Sequence, residues 1–215
     1  MMSVKMFVGC LLLGTLSAEA VFYAFNWIQK RRRMWAAKKP NKILKILFFP
    51  DENMSCQAFF RDRKGCRNHD CRYSHETTSL SQLLCFLNAA KSNLDLCIFL
   101  ITSPELGDAV VNLHKRGVVV RVIVDSEQID ASGSQIGKFR SEGIQVRHDQ
   151  TSYFMHHKFA IVDNTILLNG SFNWSRQAIT GNNENVLVTN DDEIVQPYCQ
   201  EFRSLWTTFD PASIL

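Results

Sequence analysis

His156-His157-Lys158-Phe159-Ala160-Ile161-Val162-Asp163, followed by Gly170-Ser171-Phe172-Asn173, is the stretch of this chain that decides its fold and its chemistry. As a pattern it reads H-x-K-x4-D-x6-G-S-x-N, six fixed positions within eighteen residues. Phe159 to Val162 is apolar and partly β-branched, which predicts a buried strand. Successive side chains on a strand point to opposite faces, so His156 and Lys158 share one face. His157 takes the other face and reads as structural. Asp163-Asn164 is a turn signal and Ile166-Leu167-Leu168 a returning strand, which carries Gly170-Ser171-Phe172-Asn173 to the end of a hairpin.

One face thus offers an imidazole, able to act as nucleophile or acid near neutral pH, beside a lysine cation. Cleaving a phosphodiester is chiefly a matter of positioning and of stabilising charge on the non-bridging oxygens. A cation, the hydroxyl of Ser171 and the amide of Asn173 converging on one phosphate meet that need. Asp163 has two readings in its turn: a member of the catalytic group, or a carboxylate that caps backbone amides. Glu184, in Asn182-Asn183-Glu184-Asn185, stands 28 residues after His156.

The pattern resembles the phospholipase D superfamily of phosphodiesterases, named for its His-Lys-Asp motif. The resemblance implies that His156 is a nucleophile forming a phosphohistidine and that Lys158, Asp163, Ser171 and Asn173 are catalytic positions. It also implies that Glu184 hydrogen-bonds and orients the imidazole, and that no catalytic metal takes part. That family's active site uses two motif copies about a pseudo-twofold axis, one His attacking phosphorus and the other protonating the leaving oxygen. This chain of 215 residues holds one copy. Its expected form is therefore a homodimer with the site across the interface.

Cys56, Cys66, Cys71 and His75 read C-x9-C-x4-C-x3-H, which resembles the CCCH zinc fingers of RNA-binding proteins. Three thiolates and an imidazole within twenty residues suit a structural, tetrahedral zinc. His69 is a possible substitute ligand. Arg61, Arg63, Lys64, Arg67 and Arg72 interleave with Phe59, Phe60 and Tyr73, the cation-and-ring chemistry that holds single-stranded RNA. Cys85 and Cys97 sit in apolar runs and read as core thiols.

Residues 6–28 form a mostly apolar run followed by Lys30-Arg31-Arg32-Arg33, which predicts a transmembrane anchor with its C-terminal side in the cytosol. Ala18-Glu19-Ala20 has the form of a signal-peptide cleavage site. Cysteines suited to a reducing compartment argue against secretion. So do two sequons inside the motif, at Asn169 and Asn173. Residues 30–72 hold 13 of the 24 Lys and Arg against four acids, so the overall +3 conceals a basic collar able to bind RNA or anionic lipid headgroups.

The remainder alternates helices with β-branched runs and predicts an α/β fold, one mixed sheet sandwiched by helices. Strands are expected at Ile43–Phe49, Leu96–Ile101, Val118–Val124, Ile144–Arg147 and Val186–Val188. Helices are expected from a capping box at Ser79 to about Ser92, at Pro104–Arg116, at Gly133–Ser141 and at Asp191–Phe209. The expected organisation is a tail (1–5), an anchor (6–28), a basic linker (29–42) and a catalytic domain (43–215) with the finger inserted at 51–75.

One His-Lys-Asp motif, an inserted CCCH finger and an N-terminal anchor together resemble the mitochondrial phospholipase D-like subfamily of animals, the Zucchini type. That resemblance implies an outer-mitochondrial-membrane homodimer facing the cytosol that cleaves single-stranded RNA in making piRNAs, alongside piRNA-pathway proteins. It also implies hydrolysis of the membrane lipid cardiolipin to phosphatidic acid. RNA and cardiolipin are both phosphodiesters, so the motif does not separate them. The basic collar and finger favour RNA, and an enzymatically silent tethering role gives no reason to retain His156, Lys158, Asn173 and Glu184 together.

Overall fold

The computed structural model describes residues 20–30, 41–56, 58–59 and 65–213. The chain divides into two compact units, residues 1–42 and 43–215. In the first, residues 20–30 are helical. Among the described residues no helix is long and apolar enough to cross a membrane. Most of the expected anchor, residues 6–19, and most of the basic linker lie outside the described residues.

The second unit is built on one seven-stranded mixed sheet in the order β1-β7-β6-β5-β2-β3-β4. Its strands are β1 (Leu44–Phe49), β2 (Asn93–Ile98), β3 (Val119–Val124), β4 (Gln145–His148), β5 (Lys158–Val162), β6 (Ile166–Gly170) and β7 (Glu184–Thr189). β2, β3 and β4 run parallel, while the pairings of β2 with β5, β5 with β6, β6 with β7 and β7 with β1 are antiparallel. Helices α1 (Ser79–Asn88), α2 (Pro104–Lys115), α3 (Ile136–Ser141), α4 (Arg176–Thr180) and α5 (Asp192–Thr208) complete it.

The helices start where capping chemistry lets them. The capping box of α1 is Thr78 with Ser81, one residue earlier than the sequence suggests, and Asp51 accepts from the backbone N–H groups of Ser79 and Leu80 at 2.8 and 2.9 Å. α2 opens on Ser103 with Pro104 in its first turn. α3 begins at Ile136 rather than Gly133, because Gly133 sits at φ +81°, outside helical geometry.

β2 also departs from the reading, starting three residues before the expected Leu96. Asp95 looks like a break in an apolar run. In the fold it is buried on β2 and forms a bidentate pair with Arg121 on β3, at 2.7 and 2.8 Å. Arg121 also lies over the rings of Phe202 and Trp206 of α5, at 5.0 and 5.4 Å.

Two cores follow from strand alternation. Helices α1, α2, α3 and α4 cover one face, burying Leu83, Leu94, Val122, Ala160, Leu168 and Val186. On the other face α5 buries Cys97, Ile123, Phe159, Ile161 and Leu167 against Val195, Cys199 and Phe202. That second cluster includes no residue of β1 or β7. Accordingly Leu44, Ile46 and Phe48, alternate residues of β1 on this face, are 63%, 53% and 67% exposed.

Glycine at 170 is demanded by contact. A Cβ there would stand 1.9 Å from the carbonyl oxygen of Asn185, on the neighbouring strand. Gly170→Ala is therefore expected to separate β6 from β7 and lower stability by about 3 kcal/mol, read by chemical denaturation.

Candidate active site

Antiparallel pairing decides which motif residues meet. β5 begins at Lys158, β6 ends at Gly170 and β7 begins at Glu184. Phe159 pairs with Asn169 and Gly170 with Val186, so these three strand ends lie side by side at one edge of the sheet. The main chain thus delivers His156, Lys158, Ser171 and Glu184 to a common edge.

Lys158 Nζ lies 3.3 Å from Nε2 and 3.4 Å from Nδ1 of His156 and donates to the His156 carbonyl at 3.0 Å. Burial holds the Lys158 ammonium below the usual lysine range, opposed by the charge of Glu184. The Ser171 hydroxyl donates to Glu184, the Asn182 amide donates to the other Glu184 oxygen at 3.0 Å, and the Asn185 N–H donates to Ser171 Oγ at 3.2 Å. These contacts hold Glu184 against Ser171, and among the described residues it makes no hydrogen bond to His156 of its own chain. Asn173, in the turn after Ser171, has a buried Oδ1 with no hydrogen-bond partner. His157 faces α5, its Nε2 3.4 Å from a Glu201 oxygen.

Asp163 is not brought to this edge. It follows the far end of β5, roughly 16 Å along the strand from Lys158. There, at φ +51°, its carboxylate accepts from the N–H groups of Lys91, Ser92 and Asn93 and from the Ser92 hydroxyl, at 2.7–3.1 Å. It fastens the α1–β2 loop to the β5–β6 hairpin. Burial alone raises its pKa, but those donors outweigh burial and hold the group below the usual carboxylate value.

Two residues at the edge carried no sequence signal. Phe99, just past β2, lies edge-on to His156 with ring centroids 4.7 Å apart and 5.1 Å from Lys158 Nζ, and its N–H donates to the His157 carbonyl at 2.9 Å. In sequence it is one more apolar residue of the expected Leu96–Ile101 strand, which in the fold ends at Ile98. Asp125, fully buried at the end of β3, accepts from the Met155 N–H at 2.9 Å and so pins the residue next to His156. A lone acid after a strand gives no hint of that bond.

The second candidate centre is the finger. Ligand atoms of Cys56, Cys66, Cys71 and His75 all lie within 4.8 Å of one another, and His69 is not among them. The Cys56 and Cys71 sulfurs are 3.6 Å apart as free thiols. Tetrahedral zinc with bonds of about 2.3 Å separates two sulfurs by about 3.8 Å, so the cluster fits such an ion. Its base is closed by main-chain hydrogen bonds, Cys56 N–H to Ser74 O at 2.9 Å and Ser74 N–H to Met54 O at 2.8 Å. Arg67, Arg72 and Tyr73 are exposed, while Phe60, Arg61, Arg63 and Lys64 lie outside the described residues.

A groove of about 870 Å³ between α1 and α2, lined by Leu84, Cys85, Asp108 and Asn112, includes none of the motif residues.

Comparison with known proteins fits this geometry. A family described as "Cardiolipin synthase, PLD-like domain" matches residues 83–206. The chain is similar to the mitochondrial cardiolipin hydrolase of Chlamydomonas reinhardtii, 49% identical over 167 residues covering 78% of this chain and 74% of that protein. It is similar to the Homo sapiens protein of the same name, 45% identical over 204 residues, 91% and 77% of the two chains. Among solved structures it is similar to Nuc, a phospholipase D family member from Salmonella typhimurium, with a TM-score of 0.61 over 78% of this chain and 95% of that one. At 22% identity that likeness is one of fold.

Two outcomes are expected. Asp163→Asn keeps a side chain tolerated at positive φ but removes the charge, and is expected to cost about 2 kcal/mol at neutral pH. Because the folded-state pKa is depressed, the stabilisation is present above the unfolded value near 3.8 and is lost as pH falls through the folded value. Denaturation of both proteins from pH 7 downward should find the gap constant at first and closing below about pH 4. Separately, Cys66→Ser combined with Cys71→Ser should lose bound metal and expose the segment from Asp51 to His75 to proteolysis. Elemental analysis finding no metal in the wild-type protein would remove the cluster's assignment.

Proposed function

The chain belongs to the phospholipase D-like family of mitochondrial cardiolipin hydrolases, and from that premise we propose that it hydrolyses the phosphodiester of cardiolipin through a phosphohistidine at a site shared by two copies of the chain. The observation that carries this reading is the meeting of His156, Lys158, Ser171 and Glu184 at one sheet edge, with a single imidazole of the motif in each chain.

Lys158, with Ser171 and Asn173, neutralises the non-bridging oxygens. A ring nitrogen of His156 attacks phosphorus, forming a P–N bond as the P–O bond to the leaving group breaks. The leaving oxygen takes a proton from the imidazolium of the second copy's His156. Water then attacks the phosphohistidine, giving its proton to that second imidazole, and the P–N bond breaks to release phosphatidic acid. Glu184, hydrogen-bonded to Ser171 and Asn182, is suited to orient the imidazole of the other copy. The buried Oδ1 of Asn173 is likewise suited to a donor from substrate or from the second copy. No step calls for a catalytic metal. The Cys56, Cys66, Cys71, His75 cluster is assigned a structural zinc, and residues 6–28 an anchor in the outer mitochondrial membrane with the enzyme facing the cytosol.

Endonucleolytic cleavage of single-stranded RNA is the second reading, favoured by Arg67, Arg72 and Tyr73 exposed on the finger. Full-length protein assayed in parallel on cardiolipin vesicles and on single-stranded RNA decides between them. Phosphatidic acid release that depends on His156 supports the first reading, and RNA cleavage alone replaces it with the second, bringing in piRNA production and its protein partners.

The shared site has its own test. His156→Asn should abolish hydrolysis and leave dimerisation intact. Equal co-expression of wild-type and His156→Asn chains yields about a quarter wild-type dimers, and activity should fall to about that quarter if both imidazoles act as a unit. Activity near about one half would mean that each chain works alone.

A further inference from the structure

The loop leading into the motif carries two aromatic residues that the chemistry above does not use. Tyr153 and Phe154 are 83% and 59% exposed. Two consecutive rings left in water are costly unless something covers them. The loop is held firmly at its base while its tip projects. Met155 is buried, with its N–H bound to Asp125 and its sulfur 3.3 Å from Cys97, and a side-chain turn from Thr151 closes on Tyr153 at 3.2 Å. The tip is continuous with the site: Phe154 meets Phe99 edge-on at 5.8 Å, and Phe99 meets His156 at 4.7 Å.

Charge indicates what covers the tip. A ring platform for nucleic acid is interleaved with cations that follow the phosphate backbone. Residues 149–155 contain no Lys or Arg, and Gln150, Thr151 and Ser152 are neutral. At the loop's base Arg147 pairs with Asp210 at 2.8 Å, and His157 Nε2 lies 3.4 Å from a Glu201 oxygen. Rings among neutral hydroxyls match the headgroup boundary of a bilayer, where an aromatic ring has its body in the acyl region and a tyrosine hydroxyl stays wet.

We propose that Tyr153 and Phe154 enter the headgroup boundary of a lipid bilayer and thereby bring the diester of a membrane lipid to His156 and Lys158. This rests on the reading that the substrate is a membrane phospholipid. It makes the tip an interfacial element, distinct from the catalytic residues, that acts only when the diester is embedded in a membrane.

The test uses the full-length chain reconstituted in phosphatidylcholine vesicles containing cardiolipin, with bis(4-nitrophenyl) phosphate as a diester in free solution. Tyr153→Ser with Phe154→Ser should lower cardiolipin turnover about 100-fold, about tenfold for each ring withdrawn from the boundary, and leave hydrolysis of the soluble diester unchanged. Tyr153→Trp with Phe154→Trp should restore cardiolipin turnover. An equal loss on both substrates overturns the proposal, because the loop then serves the chemistry or the fold. Loss of the dimer overturns it in favour of a second copy covering the rings. Loss confined to cleavage of single-stranded RNA overturns it in favour of base stacking. A wild-type protein that hydrolyses the soluble diester but never cardiolipin sinks the lipid reading and this inference together. A serine variant as active as wild type on vesicles sinks the inference alone.

Discussion

β6 and β7 can pair as they do only because residue 170 lacks a side chain, its would-be Cβ falling 1.9 Å from the Asn185 carbonyl oxygen. Everything at the sheet edge depends on that approach. It sets Ser171 opposite Asn185, so that the Asn185 N–H reaches the serine oxygen and the hydroxyl reaches Glu184. The adjoining β5–β6 ladder places Lys158 within the field of the same carboxylate. A motif scattered over 29 residues from His156 to Glu184 becomes one locus through two antiparallel registers and one glycine.

The parts of this arrangement that follow from local rules were legible in the sequence. Alternation along Phe159–Val162 separates His156 and Lys158 from His157, and the hairpin follows from Asp163-Asn164 between two apolar runs. The mixed sheet with helices on both faces followed from the alternation of periods. What escaped the reading depends on contacts between distant residues. Asp95 appeared to delay β2 because its partner, Arg121, is a strand away. Phe99 and Asp125 act at the site only because β2 and β3 end beside β5 and the loop before it. Asp163 illustrates the opposite difficulty: its place in the motif suggests a role at the phosphate, whereas its place in the strand puts it at the far end, holding amides.

The unit is incomplete in ways that point outward in different directions. The uncovered face of β1, bearing Leu44, Ile46 and Phe48, is apolar and suits an apolar partner surface. The Tyr153–Phe154 tip is aromatic, neutral and beside His156, which suits a bilayer. The finger's exposed Arg67 and Arg72 suit a polyanion. Each surface has its own chemistry, so the proposed partner, membrane and charged ligand would not compete for the same residues.

Substrate choice must then be made outside the motif. A phosphodiester presents the same two non-bridging oxygens whether its alcohols are glycerols or riboses, and in the proposed mechanism Lys158, Ser171 and Asn173 respond to those oxygens alone. Discrimination falls to what receives the groups on either side of phosphorus. The α1–α2 groove includes none of the motif residues, so those groups are received elsewhere. On the proposed reading the diester is a membrane lipid, which stays at headgroup depth while it reacts and meets the aromatic rim of Tyr153 and Phe154 there. The bilayer, and not the protein alone, then holds the acyl chains.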